Sequence, residues 1–224
     1  MPHVRAQGIG ETCVAFATGY MKSYLRSREL DSNFVASPRF IYCEARKAEK
    51  HPDKDRNKGI EIREGLRVLK NLGVPSETEC PYNDSNLTPC ESPEVMIDAG
   101  KNKIATYARL SKLYEIKQIL ARRVPVVIGV PVFENWKYSE VTGVIPMPVG
   151  GIEGNHAVCV CGYDDVKGWF IFENSWGEIW APQSLYKPGF GIIRYDYLQE
   201  FLENGDADVW ASADFTKGTK TGNK

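Results

Sequence analysis

Three things are scarce in this chain of 224 residues. No apolar run approaches the roughly 20 residues that cross a bilayer as a helix, so the sequence offers no membrane partner. Charge of one sign is missing too. Against 29 Asp and Glu stand 28 Lys and Arg, a net charge of −1 that gives no field for nucleic acid or an anionic surface. Cysteine is sparse: six residues are too few for a disulfide scaffold. No apolar stretch follows a basic start at Met1-Pro2-His3-Val4, so nothing reads as a signal peptide, and the compartment stays open. What is present, 42% hydrophobic and 25% charged residues, suits a globular protein of one large domain or two closely packed halves.

The chain is best anchored on Gln7-Gly8-Ile9-Gly10-Glu11-Thr12-Cys13-Val14-Ala15-Phe16-Ala17. Glycines precede a cysteine that opens a helical pattern, with Val14, Phe16, Ala17, Tyr20, Met21, Tyr24 and Leu25 at the spacing of one buried face. A thiol at a helix N-terminus meets unsatisfied N–H groups and the positive end of the helix dipole. Both favour the thiolate, which is the nucleophile. A small buried core cysteine fits the same stretch, because free cysteine is among the most buried residue types.

The partner lies far downstream. His156 begins the apolar run Ala157 to Tyr163, and a short polar turn leads into Trp169-Phe170-Ile171-Phe172-Glu173-Asn174-Ser175-Trp176-Gly177. Two such runs joined by a Gly-containing turn read as a hairpin, which would set His156 beside Asn174. Cys159 and Cys161 with His156 invite a metal reading. Alternation along a strand puts the two cysteines on one face and His156 on the other, whereas metal ligands must converge, so no metal or other cofactor is expected. Singly, each residue has a plainer reading: Trp176 as core, Gln7 and Asn174 as turn residues, His156 as a satisfied core histidine. The joint occurrence of Cys, His and Asn, 143 and then 18 residues apart, is what favours catalysis.

At these residues the sequence resembles the papain family of cysteine peptidases. Gln7-Gly8, Cys13 with Ala15-Phe16, His156-Ala157-Val158 with Gly162-Tyr163, and Asn174-Ser175-Trp176-Gly177 match the family's motifs in order, and the likeness runs from Val4 to about Phe215. There are departures. Gly10-Glu11-Thr12 and Val14 flank the cysteine where the family has Cys-Gly-Ser and Trp, so one family disulfide is absent. The family's Gly-Cys-x-Gly-Gly segment is reduced to Asn57-Lys58-Gly59-Ile60. A divergent branch, bacterial or viral, fits these changes. The resemblance implies an α+β, two-lobed fold with an N-terminal helical lobe, an antiparallel β-barrel-like lobe, and the cleft between them. It implies a peptide or protein substrate, and a propeptide or protein inhibitor as further partners. Only six residues precede Gln7, which suggests a trimmed or processed form or a relative without a propeptide.

The order of elements agrees with α+β, helices first and strands afterwards. Ser37-Pro38 reads as a helix start, Ile62 to Leu72 as a helix stopped by Gly73, and Pro125 to Val132 as a strand buried on both faces. Ser111 and Asp196 are read as caps of two later helices. Gly189 to Tyr195 and Val209 to Phe215 are read as strands, Lys47 to Lys58 as an exposed loop, and Thr216 to Lys224 as a disordered tail. The division is 1–104 for the half with the nucleophile and 105–215 for the half with His156 and Asn174. Among Cys43, Cys80 and Cys90 one bridge is conceivable, and free thiols are the expectation.

By resemblance, Cys13 attacks a peptide carbonyl, His156 moves the proton, and Asn174 orients its ring under the cover of Trp176. Gln7 and the Cys13 N–H stabilise the oxyanion. Gly59 binds substrate main chain, while Ile60, Ile62, Gly129, Asn155 and Ala157 border an apolar pocket for the second residue before the cut. Glu11 is read as a solvent-facing carboxylate; were it to face the cleft, it would repel acidic substrates and oppose the thiolate. An endopeptidase is the reading preferred here, ahead of an exopeptidase or cysteine acyltransferase with the same three residues, and of a silent peptide-binding protein.

Overall fold

The computed structural model describes residues 3–30, 33–48 and 58–214. These form α1 (Cys13–Leu30), α2 (Pro38–Lys47), α3 (Ile62–Asn71), α4 (Pro93–Gly100), β1 (Thr106–Leu110), α5 (Leu113–Ala121), β2 (Val126–Phe133), β3 (Ile152–Asp164), β4 (Trp169–Glu173), β5 (Phe190–Arg194), α6 (Tyr195–Asn204) and β6 (Asp208–Ala213). Most of the exposed loop expected over 47–58, and the whole tail after 215, lie outside the described residues.

Local chemistry sets most of the boundaries. The Ser37 hydroxyl accepts from the Phe40 N–H at 3.2 Å, and Pro38 takes the first turn of α2, where its missing N–H costs nothing. Gly73, at φ 86°, lets the chain leave α3 while its N–H still reaches the Val68 carbonyl at 3.0 Å. Two start signals land differently from the sequence reading. Lys112, not Ser111, is the residue before α5, because Glu115 reaches back to accept from both the Ser111 and Lys112 N–H groups. Arg194, not Asp196, precedes α6; Asp196 lies in the first turn, where a carboxylate meets the positive end of the helix.

The strands form one antiparallel six-stranded sheet in the order β1-β6-β2-β3-β4-β5. The expected barrel-like lobe is therefore corrected: the sheet is open. Alternation explains why closure is unnecessary. Val127, Ala157 and Cys159 face a core built with Phe16, Met21 and Leu66 of the early helices. Val126, Ile128, Val158 and Val160 face a second core with Ile116, Tyr197 and Phe201 of α5 and α6. The central strands are thus buried on both faces, which is why β2 is a continuous apolar run. The outer edge of β5 is covered as well, since Ile145 donates to the Ile192 carbonyl and Ile192 to that of Gly143, at 3.0 and 2.9 Å.

The expectation of free thiols is corrected in one place. Cys80 and Cys90 are bonded, their Cα atoms 6.0 Å apart, and close a loop over the irregular segment after α3. Cys43 is the odd one out: it is buried, with its sulfur 3.3 Å from the Leu87 carbonyl. Cys13, Cys159 and Cys161 are also free.

The far ends of the described chain meet in a buried ion pair. Lys22 of α1 puts its ammonium 2.6 Å from Asp214 and 3.1 Å from the Lys103 carbonyl, and both charged side chains are almost wholly enclosed. Breaking such a pair strands a charge without its counter-ion. Asp214→Asn is expected to cost about 3 kcal/mol of stability, read as a lower urea midpoint at unchanged slope. A loss well under 1 kcal/mol would show that water reaches Lys22.

Candidate active site

Cys13 is the first residue of α1. The Thr12 carbonyl already accepts the Phe16 N–H at 3.1 Å, so the Cys13 N–H is one of the donors a helix start leaves unpaired. The thiol is half-buried. Burial pushes it up from its ordinary range, main-chain N–H groups of Ala157, Val14 and Cys13 draw it back, and the Glu11 carboxylate adds to the rise.

His156 lies on β3 opposite Val130 of β2. Its Nε2 is 2.8 Å from Asn174 Oδ1, just past the end of β4, as the hairpin reading anticipates. The Ser175 N–H also donates to Oδ1 at 2.8 Å, which fixes that atom as the oxygen. An acceptor there requires Nε2 to carry hydrogen, leaving Nδ1 with its lone pair. Asn174 is fully enclosed. Trp176 stacks on the imidazole, centroids 4.6 Å apart and planes 25° apart, while Trp136 presents its edge at 6.4 Å. Enclosure lowers His156 to about 4, and the Asn174 hydrogen bond works in the opposite sense.

Gln7 is held from both sides. The Ser175 hydroxyl donates to its Oε1 at 2.6 Å, and its Nε2 donates to the Gly10 carbonyl at 2.7 Å. A side-chain amide has two N–H bonds, and Gly10 uses one of them. The loop between Gln7 and Cys13 is braced by Tyr82. Its hydroxyl donates to the Gln7 carbonyl at 2.6 Å, so the Thr12 hydroxyl, 2.8 Å away, must donate to it in turn. Gly8 turns this loop at φ 64°, a left-handed conformation that glycine adopts without the strain a Cβ would bring.

The cleft continues on both sides of Cys13. On one side a cavity of about 420 Å³ brings together Cys13 and His156 with Gly59, Ile60, Ile62, Gly129, Asn155 and Ala157, every residue expected to border it. It is not purely apolar, which corrects that expectation: Glu11, Glu61, Asp206 and Asp208 line it too. The solvent-facing reading of Glu11 is half right, since the side chain is exposed and also forms cavity wall. On the other side a space of about 230 Å³ joins Gln7, Cys13, His156 and Trp176. It shares Trp176, Val132 and Glu153 with an aromatic cavity of about 500 Å³ that includes Trp136, Trp180 and Ile179. Trp136, Tyr82, the Ser175 hydroxyl and the three further carboxylates are what the sequence reading missed. Of these only Ser175 carries a signal, as a member of the Asn174–Gly177 motif.

A thiol at a helix start beside an imidazole, in a cleft open on both sides, belongs to the class of cysteine proteases. The sequence description of the papain family cysteine proteases matches residues 1–188. Xylellain, a cysteine protease from Xylella fastidiosa, is 30% identical and superposes with a TM-score of 0.82, over 95% of this chain and 83% of that one. A peptidase C1-like protein of Acanthamoeba polyphaga mimivirus is 29% identical over 94% of this chain and 69% of its own length. Bovine cathepsin S is 25% identical over 82% of this chain, which spans about half of that protein (55%). The chain belongs to the papain family of cysteine proteases.

Proposed function

We propose that the protein is a cysteine endopeptidase in which Cys13, His156 and Asn174 act as a unit. His156, through Nδ1, takes the Cys13 proton, and the thiolate attacks the peptide carbonyl. The imidazolium then protonates the leaving amine, and water releases the acyl group by the reverse sequence. Neither charge is stable alone in this enclosed place, but each is the counter-ion of the other. Asn174 orients the ring and Trp176 shields that hydrogen bond. Gln7, with its second amide N–H, and the Cys13 N–H are the oxyanion donors. Gly59 aligns the substrate main chain, and Ile60, Ile62, Gly129, Asn155 and Ala157 border the pocket for the second residue before the cut. Residues 1–104 make the half bearing the nucleophile, and 105–215 the half bearing His156 and Asn174.

The observation that carries this reading is the histidine–asparagine contact set beside a helix-start thiol in a common cavity. Endopeptidase is favoured over exopeptidase because space extends from Cys13 in both directions. The test is labelling with an epoxysuccinyl inhibitor, mapped by mass spectrometry, with Cys13→Ala as control. A single adduct on Cys13, while Cys43, Cys159 and Cys161 stay unmodified, is the expected outcome. Equal slow labelling of all four, or none, would move the silent binding protein to the front.

A further inference from the structure

We infer that the cavity on the Gly59 side of Cys13 selects peptides with a cationic side chain, Arg or Lys, at the second residue before the cut. The inference rests on the endopeptidase reading and adds the substrate class. Every charged residue lining that cavity is a carboxylate: Glu11, Glu61, Asp206 and Asp208. Asp208 is drawn outward by Arg109, whose Nε lies 3.1 Å from Oδ1, and among the described residues the other three have no ion-pair partner.

The four come from distant parts of the chain. Glu11 precedes the nucleophile and Glu61 precedes α3, while Asp206 and Asp208 arrive with β6, whose Asp208 lies opposite Gly129 in the ladder with β2. Between them are the apolar side chains of Val14, Ile60 and Ile62. Gly129 preserves the depth of the pocket, because a Cβ there would come within 3.1 Å of the tip of Ile62. Apolar walls below a rim of negative charge suit a residue with a methylene stem and a cationic head. The same rim repels Asp and Glu. One exposed ion pair contributes little, but three unpaired carboxylates around one concave site act on the same guest.

The test compares three fluorogenic peptides that differ only at that residue: Arg, Leu or Glu. We expect kcat/KM for Arg to exceed that for Glu by at least about tenfold, and the Arg advantage to shrink as salt rises, since screening weakens exposed charges. In Glu61→Gln/Asp206→Asn the ratio of Arg to Leu turnover should fall several-fold within the same variant. The rate of Cys13 labelling by epoxysuccinyl reagents bearing Arg or Glu at that place reads the same preference without turnover. Equal rates for Arg and Glu, with the Leu peptide cleaved, overturn this inference and leave the endopeptidase standing. Failure of all peptides together with an unlabelled Cys13 removes both.

Discussion

Cys13→Ala and His156→Ala are each expected to lower kcat/KM on a peptide substrate by at least about 10⁴, and the double variant to be no worse than either. Non-additivity is the informative part. Enclosure lowers His156 to about 4 and pushes the Cys13 thiol up, so in the proposed mechanism each group ionises at neutral pH only through the other. On that mechanism, without His156 the thiol has no acceptor for its proton, and without Cys13 the imidazole has no nucleophile to serve. Asn174→Ala should fall between wild type and these floors, because it releases the ring without removing a reacting atom. Steady-state kinetics on one fluorogenic peptide decides it. A double variant whose loss equals the product of the single losses would mean that the two groups act separately.

The second large effect concerns stability and comes from the neighbour of Asn174. Glu173 ends β4 opposite Cys159, is 1% exposed, and has no hydrogen-bond partner for either carboxylate oxygen among the described residues. It points at the core beneath α1, in the company of Tyr20 and of Cys159 and Cys161, none of which supplies a positive charge. Burial pushes its carboxyl up to about 8, with only a partial pull back from Lys187.

The raised value means that the folded protein holds a proton the unfolded chain releases at about 4.5. The stability that Glu173 contributes is therefore fully present below about 4.5, declines as pH rises, and levels off above about 8. At 1.36 kcal/mol per pH unit, the whole descent is roughly 5 kcal/mol. Glu173→Gln keeps the shape and removes this titration. The opposite contribution of His156, lost as pH falls from about 6.5 to about 4, is the same in both proteins. The unfolding free energy of wild type relative to the variant should therefore fall steadily from pH 5 to pH 8. Urea titrations at about five pH values measure this. Parallel curves for the two proteins would show that Glu173 is already ionised in the fold. Because Asn174 follows directly, activity at alkaline pH should be lost along with stability in wild type and retained longer in the variant.

Much of this was legible in the chain. The helix face after Cys13, the hairpin that pairs His156 with Asn174, and the doubly buried β2 each leave a local or periodic trace. Other features leave none. Three cysteines within fifty residues give no spacing rule for choosing Cys80 with Cys90 over Cys43, because the choice depends on where the loop folds back. An open sheet and a barrel share one strand pattern, and the difference lies in helices covering both faces. The charge of the cleft was hidden for a similar reason: Asp206 and Asp208 are nearly two hundred residues from Glu11, and only the β6–β2 ladder brings them to it. Tyr82 lies in a stretch without periodicity, and its bracing role appears only once the loop is closed above Phe16.

The clasp between the N-terminal strip and the Asn174 turn has a consequence for the time at which activity begins. Gln7 N–H donates to the Ser175 carbonyl at 2.7 Å, Gly177 N–H donates to that of Arg5 at 3.2 Å, and Ala6 bridges to Trp176. During synthesis the cysteine emerges first and its companions some 140 to 160 residues later. A nascent chain therefore carries an ordinary thiol until the turn has left the ribosome. Lys22 waits longer still for Asp214, 192 residues further along the chain. If Cys13, His156 and Asn174 act as proposed, hydrolysis cannot begin in a chain that has not yet supplied the Asn174 turn.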